Sequence, residues 1–251
     1  MTKFSLALLT AIAALSAFSF GLAIPGNAQI DRSPAGGEPV LIELFTSQGC
    51  SSCPPADRLA NRLESEPGLV VISKPVDYWD RLGWKDTFAS PENTALQRAY
   101  ARRGLEGYDG VYTPQSVIAG GYGEVGSDER AIRNSVRAAA RQQTSAIRVR
   151  GNGDTGYAIG IAGPAGTMGE LVLVGVESSP TVAIERGENR GRNVTYANVL
   201  VGERVVSRWS GGKASHVIRR GDLGMPRADR YTLLLRERAG GAVLAAQWLE
   251  R

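Results

Sequence analysis

The chain has 251 residues, 43% of them hydrophobic and 22% charged, and a formal charge of +4. That composition is ordinary for a globular protein, apart from a generous 31 glycines. The positive excess comes from scattered arginines rather than a basic run, which argues against a nucleic-acid partner and for a solvated surface.

Lys3 precedes an apolar stretch from Phe4 to Ile24, and Gly26-Asn27-Ala28 then offers small residues where signal peptidase reads the chain. Residues 1–28 are read as an export signal cleaved before Gln29. An uncleaved anchor is the alternative, because the apolar run of about twenty residues approaches spanning length. Small residues follow the run and no basic stop-transfer cluster does, which favours cleavage. No later stretch is apolar enough to span a bilayer, so the mature chain is expected in the periplasm or secreted, where disulfides persist. Residues 29–38, with Pro34, Gly36 and Gly37, read as a flexible lead-in.

Pro39 to Phe45 predicts a first strand, nearly all apolar as a central parallel strand should be. A helix follows from Pro54 or Pro55, with Ala56, Leu59, Ala60 and Leu63 on its inner face. Leu69 to Val76 predicts a second strand, and an aromatic, acidic loop runs from Asp77 to Trp84. Ser90 caps a second helix that Gly104 ends. Thr113-Pro114 leads into a third strand, Gln115 to Ala119; Gly120-Gly121 suits a hairpin turn, and Tyr122 to Val125 is the return strand. Ser127 caps a last helix from Asp128 to about Gln142. The first two strands must be parallel and the last two antiparallel. Residues 39–143 are thus expected to form an α/β domain, a four-stranded mixed sheet with flanking helices. Residues 144–251 hold strand-like runs around 147–150, 171–174, 181–185, 194–201, 205–209, 231–235 and 243–248, separated by glycine-rich turns. They are expected to form a separate all-β antiparallel sandwich-like domain.

The chain's two cysteines, Cys50 and Cys53, stand where the first strand gives way to the first helix. Closing so short a loop removes little chain entropy, so the pair is a poor staple. A redox role explains the spacing better. The unpaired amides and macrodipole of a helix N-terminus stabilise an anion, and a thiolate is what attacks a disulfide. Cys50 is expected to be the exposed nucleophile and Cys53 the covered resolving thiol. The serines between them bring hydroxyls but no charge, which predicts an intermediate reduction potential. A structural disulfide is one alternative. Zinc lacks ligands, since the sole histidine, His216, lies far along the chain; Cu(I), which two thiolates can hold, is the better metal alternative. No cofactor and no resident metal are expected. Thr113-Pro114 adds support, because a proline just before a sheet strand is unusual unless its peptide is cis or it opens the strand. The Thr113 backbone would then be free to pair with an extended substrate beside Cys50.

The element order, the CxxC at the start of the first helix and the Thr-Pro before the hairpin together resemble the thioredoxin superfamily. The wording is similar to a group of secreted bacterial thioredoxin-like proteins, domain of unknown function 1223. The residues that carry this are 43–57, Val76-Asp77-Tyr78-Trp79-Asp80 with Leu82-Gly83-Trp84, Tyr112-Thr113-Pro114-Gln115, and Arg186-Gly187-Glu188-Asn189 followed by Gly191-Arg192. Pro75 stands where that pattern carries a histidine, so a general base or metal ligand is not carried over there. The superfamily resemblance implies a buried carboxylate near the pair, and Glu43 is the candidate to take the proton of the resolving thiol; a merely paired or exposed glutamate is the alternative. Tyr78 and Trp79 are candidates for a substrate wall, or for a loop pinned by its own aromatics. Arg186, Glu188, Asn189 and Arg192 either bind an anion or brace a loop. The function expected is exported thiol–disulfide exchange on a protein thiol or disulfide substrate, with a redox partner. The alternative is a Cu(I)-binding or partner-binding protein without turnover.

Overall fold

A computed structural model describes residues 37–237 and 240–250. The predicted export signal and most of the lead-in lie outside them, and among the described residues no helix is long and apolar enough to cross a membrane.

Strands β1, Val40–Thr46, and β2, Leu69–Pro75, are buried along their whole length. They pair in parallel from Val40 opposite Leu69 to Thr46 opposite Pro75, with helix α1, Pro54–Leu63, as the crossover. Helix α2, Pro91–Arg103, is opened by the Ser90 hydroxyl, which accepts from the Asn93 amide at 3.2 Å. Strands β3, Glu106–Gly107, β4, Gln115–Ile118, and β5, Tyr122–Val125, precede helix α3, Glu129–Gln142. Asp128 caps α3, accepting from the Ala131 amide at 3.0 Å, in place of the expected Ser127. The β4–β5 turn sits one residue earlier than Gly120-Gly121: Ala119 and Gly120 take φ of +48° and +65°, and the Gly121 amide reaches the Ile118 carbonyl at 3.0 Å. The right-handed twist of a hairpin calls for two positive φ values, and here alanine supplies one of them.

The second half supplies β6, Ala146–Asn152, β7, Gly156–Ala162, β8, Gly169–Glu177, β9, Thr181–Ala183, β10, Asn193–Thr195, β11, Val199–Trp209, β12, Ala214–Ile218, β13, Arg230–Arg236, and β14, Val243–Leu249. The expected thioredoxin-like α/β domain followed by a separate sandwich is not what forms. The main sheet has nine strands, in the order β14-β13-β8-β11-β2-β1-β4-β5-β3. The join is at β2, where Val199 of β11 pairs in parallel with Ser73. A small sheet ending at β2 would leave the backbone of a wholly buried strand open to solvent, a template for unwanted pairing. The second half closes that edge. Asn198, itself buried at φ +47°, donates its side-chain amide to the Val71 carbonyl at 3.0 Å. Strands β9 and β10 form a two-stranded hairpin, and β12-β7-β6 form a small sheet whose Ile147, Ile159 and Ile161 pack on Leu171, Leu173 and Leu233 of the main one.

A buried ionic cluster crosses the join with one residue from each of five elements: Glu43 on β1, Lys74 on β2, Glu203 on β11, Arg236 on β13 and Tyr100 on α2. Lys74 lies 2.7 Å from Glu203 and 3.4 Å from Glu43, Arg236 lies 2.8 Å from Glu203, and the Tyr100 hydroxyl donates to Glu43 at 2.6 Å. Burial alone would depress Lys74, but the two carboxylates outweigh it and hold the ammonium above its ordinary range. Burial would likewise raise Glu203, yet Lys74 and Arg236 bring it down to about 2. Removing one member leaves opposite charges buried without a partner. Lys74→Met is predicted to cost about 3–5 kcal/mol in urea denaturation. A loss below about 1 kcal/mol would show that the cluster does not hold the two halves together.

Candidate functional site

Strand β1 delivers the chain to a tight turn, Ser47 to Ser52, in which the Cys50 amide donates to the Ser47 carbonyl at 3.1 Å and the Cys53 amide to the Cys50 carbonyl at 3.2 Å. Cys50 and Cys53 are joined as a disulfide with their Cα atoms 5.4 Å apart. Both cysteines are fully buried, while Ser51 and Ser52 between them are exposed. Cys50 is therefore not the exposed residue expected of an attacking group.

The electrostatics of the turn also differ from expectation. Cys53 is the N-cap of α1, and Pro54 and Pro55 follow it without any N–H to offer. The next two amides, of Ala56 and Asp57, are both spent on the Cys53 carbonyl, at 2.8 and 3.1 Å. The Ser51 amide points at the Glu188 carboxylate, 3.2 Å away. The polar group in contact with the Cys50 sulfur is the Ser52 hydroxyl, at 3.3 Å. The helix dipole remains, but the free donors that usually accompany it do not.

Three segments lie about this turn, two of them in contact with it and one reaching it through Trp79. The first is the aromatic loop. Trp79 lies so close to Gly49 that a Cβ there would meet the Trp79 Cβ at 3.2 Å. Its indole N–H donates to the Thr113 hydroxyl at 2.8 Å, and the Tyr78 hydroxyl lies 3.2 Å from the Gln97 side-chain carbonyl. Trp84 donates to the Gln48 side chain at 2.8 Å, and the buried Asp86 accepts from the Gln48 amide at 2.8 Å. The loop is thus pinned by polar contacts as much as by its rings. The second segment is the start of β4, where the Thr113–Pro114 peptide is cis. Among the described residues the Thr113 backbone makes no hydrogen bond. The third is a flap from the second half, the β9–β10 hairpin, whose 184–192 tip lies on the cysteine turn. The buried Asn189 side chain donates to the Gln48 and Cys50 carbonyls, at 3.0 and 2.8 Å. Of the polar residues 186–192, Glu188 and Asn189 are the ones whose side chains reach the cysteine turn, and Asn189 grips it.

Glu43 is held on the α2 side of β1 by Tyr100 and Lys74, in the ionic cluster. The carboxyl that accompanies α1 is Asp57, one turn after Cys53. It is buried and accepts from the Thr46 hydroxyl at 2.7 Å. Burial pushes Asp57 up to about 7, and the Thr46 hydrogen bond only partly opposes this. The spacing contained a signal for this residue: Cys53, Ala56, Asp57 and Ala60 share the inner helix face, so Asp57 is a carboxylate on an apolar stripe. Gln48 and Asn189 gave no such signal, since their partners lie far off in the chain. His216 sits on β12 opposite Ile159, in the small sheet. Among the described residues no cluster of three or more His, Cys, Asp or Glu is placed to hold a metal ion.

A family model described as "Protein of unknown function (DUF1223)" matches residues 41–235. No curated protein matches the chain. Among solved structures, protein AGR_C_4864 from Agrobacterium tumefaciens is 29% identical with a TM-score of 0.71, over 84% of this chain and 93% of that one. HBP35 of Porphyromonas gingivalis is 11% identical with a TM-score of 0.53, over 86% of this chain and 76% of that one, a likeness of fold alone.

Asp57 makes stability depend on pH. Its folded pKa, about 7, lies above the ordinary 3.8, so the folded state holds the proton more tightly. Stability contributed by the protonated form is complete below pH 3.8 and is lost by about 1.4 kcal/mol per unit as pH rises towards 7. Asp57→Asn, which keeps the acceptor for Thr46, is predicted to flatten that slope and raise the thermal midpoint at pH 8. An unchanged slope in thermal denaturation from pH 4 to 8 would remove Asp57 as its source.

Proposed function

We propose that this chain, which belongs to the DUF1223 family of proteins of unknown function, is a thiol–disulfide exchange protein that works outside the cytoplasm. Its substrates are protein thiols or disulfides, and its working pair is Cys50 and Cys53. The observation that carries the reading is the disulfide itself. It closes a loop too short to stabilise the fold much by restricting the unfolded chain, at a turn on which three distant segments converge.

In the reducing direction the Cys50 thiolate attacks a substrate disulfide, forming a mixed disulfide and expelling one substrate thiolate. Cys53 then loses its proton and attacks the Cys50 sulfur. The second substrate thiol leaves, and the pair is oxidised as the substrate takes up two electrons and two protons. Oxidation of a substrate dithiol is the same sequence reversed. Asp57, rather than Glu43, is the group assigned to take the Cys53 proton, because it lies on the same helix and titrates near neutrality. The unbonded Thr113 backbone beside the cis proline is the place for an extended substrate strand, with Trp79 as its wall. The flap must lift before either sulfur meets a substrate.

Few donors face Cys50 and the Glu188 carboxylate lies close by, so its thiolate is weakly stabilised. Weak stabilisation of the reduced form means a low potential. Equilibration with a dithiol buffer is predicted to give a value nearer the roughly −270 mV of reducing pairs than the roughly −120 mV of the strongest oxidants. Cys53→Ser is predicted to accumulate a mixed disulfide with a disulfide-containing protein such as insulin, while Cys50→Ser forms none. Full burial of both sulfurs favours one other reading, a structural disulfide. Absence of both the adduct and any turnover would establish it.

A further inference from the structure

The geometry points to a second binding site, a cleft between β2 and β11 that takes a small amphiphile with an apolar body and a carboxylate head. The cleft exists because the two strands separate as soon as they meet. They pair only at Ser73 and Val199. Two positions on, β2 reaches Pro75, which has no N–H to donate, and β11 shifts register against β8 between Leu200 and Gly202. The opening has a volume of about 700 Å³, within the range of small-molecule sites. Phe88, Ala95, Leu96 and Ala99 form one wall, and Leu200 and Val201 the other.

Lys74, Glu203 and Arg236 line the same cleft at the ionic cluster. An inventory of donors and acceptors there decides the ligand. Glu203 meets Lys74 through one oxygen and Arg236 through the other, and Glu43 meets Lys74 and Tyr100 in the same way. All four carboxylate oxygens are occupied. The donors are not: Arg236 reaches Glu203 through Nη1, and its buried Nε has no partner. Arg236 lines the cleft but is only 7% exposed, so bulk water does not compensate that N–H, and a ligand head reaches it only with a turn of the guanidinium. A guanidinium with its Nε edge unfilled matches a carboxylate in shape and charge, and two carboxylates against two cations leave no net negative charge to repel one. On the rim, Arg227 stands above Phe88, 5.1 Å from its ring centre, with its charge already paired to Glu177 at 2.6 Å, and the exposed Glu92 also lines the opening, so the cationic head site is Arg236 alone.

Titration calorimetry with decanoate and with decanol tests this on the full mature chain. Decanoate is expected to bind one to one, and decanol at least tenfold more weakly. Arg236→Met is expected to weaken decanoate at least tenfold. Because that variant also disturbs the cluster, Ala95→Trp is the companion: residue 95 is exposed at the mouth, and the indole blocks it without touching the core. It too is expected to cut decanoate affinity tenfold, with an unchanged thermal midpoint. Equal binding of decanoate and decanol, no binding of decanoate at 1 mM, or full affinity in a folded Ala95→Trp protein would each overturn the assignment.

Discussion

The closing of the β2 edge by β11 is the constraint on which the rest of this molecule depends. One parallel pairing, Ser73 with Val199, merges what the alternation of residues suggests are two domains. It is too little backbone to hold a sheet together by itself. The charged cluster of Glu43, Lys74, Glu203 and Arg236 supplies what the missing ladder does not, reaching across the gap with side chains. Three consequences follow from the same join. The sheet runs on through β8, β13 and β14, the splayed strands leave a lined cleft, and the β9–β10 hairpin just before β11 is carried onto the cysteine turn.

That last consequence changes the chemistry expected of the pair. A cysteine at a helix start is ordinarily activated by free amides and by exposure. Here two prolines remove amides, Cys53 uses the next two, and the flap adds the Glu188 carboxylate. The pair sits as a covered disulfide whose reduced form has little to stabilise it. Asn189 holds the cover with two hydrogen bonds, yet its own side-chain carbonyl is buried without a partner. Such an orphaned acceptor costs about 1–3 kcal/mol, which offsets part of the grip.

Local features were legible in the residues. Strands β1 and β2, the three helices and the proline before β4 declare themselves by composition or spacing, and the 186–192 run only by its resemblance to the family. Asp57 is legible too, as a carboxylate on the apolar face of α1, whereas the superfamily resemblance points instead to Glu43 on the strand. What could not be read was the partner of each strand. An apolar run such as Val70-Val71-Ile72 announces that it is buried and is silent on what buries it. Strands β7 and β12 were missed because glycine and polar residues interrupt their alternation. The ionic cluster was out of reach for the same reason as the sheet: its members are scattered from Glu43 to Arg236 and meet only once β2 and β11 are paired.

A flap from the second half of the chain closes over the disulfide, and the proposed exchange requires that it open. The rate at which dithiothreitol reduces Cys50–Cys53 in the folded protein, with and without Asn189→Ala, tests it most directly. Two lost hydrogen bonds of about 1 kcal/mol each, partly offset because the orphaned Asn189 carbonyl leaves with them, predict reduction faster by about threefold or more, with the fold intact. An unchanged rate, or a disulfide that reduces only when the protein unfolds, would contradict the account.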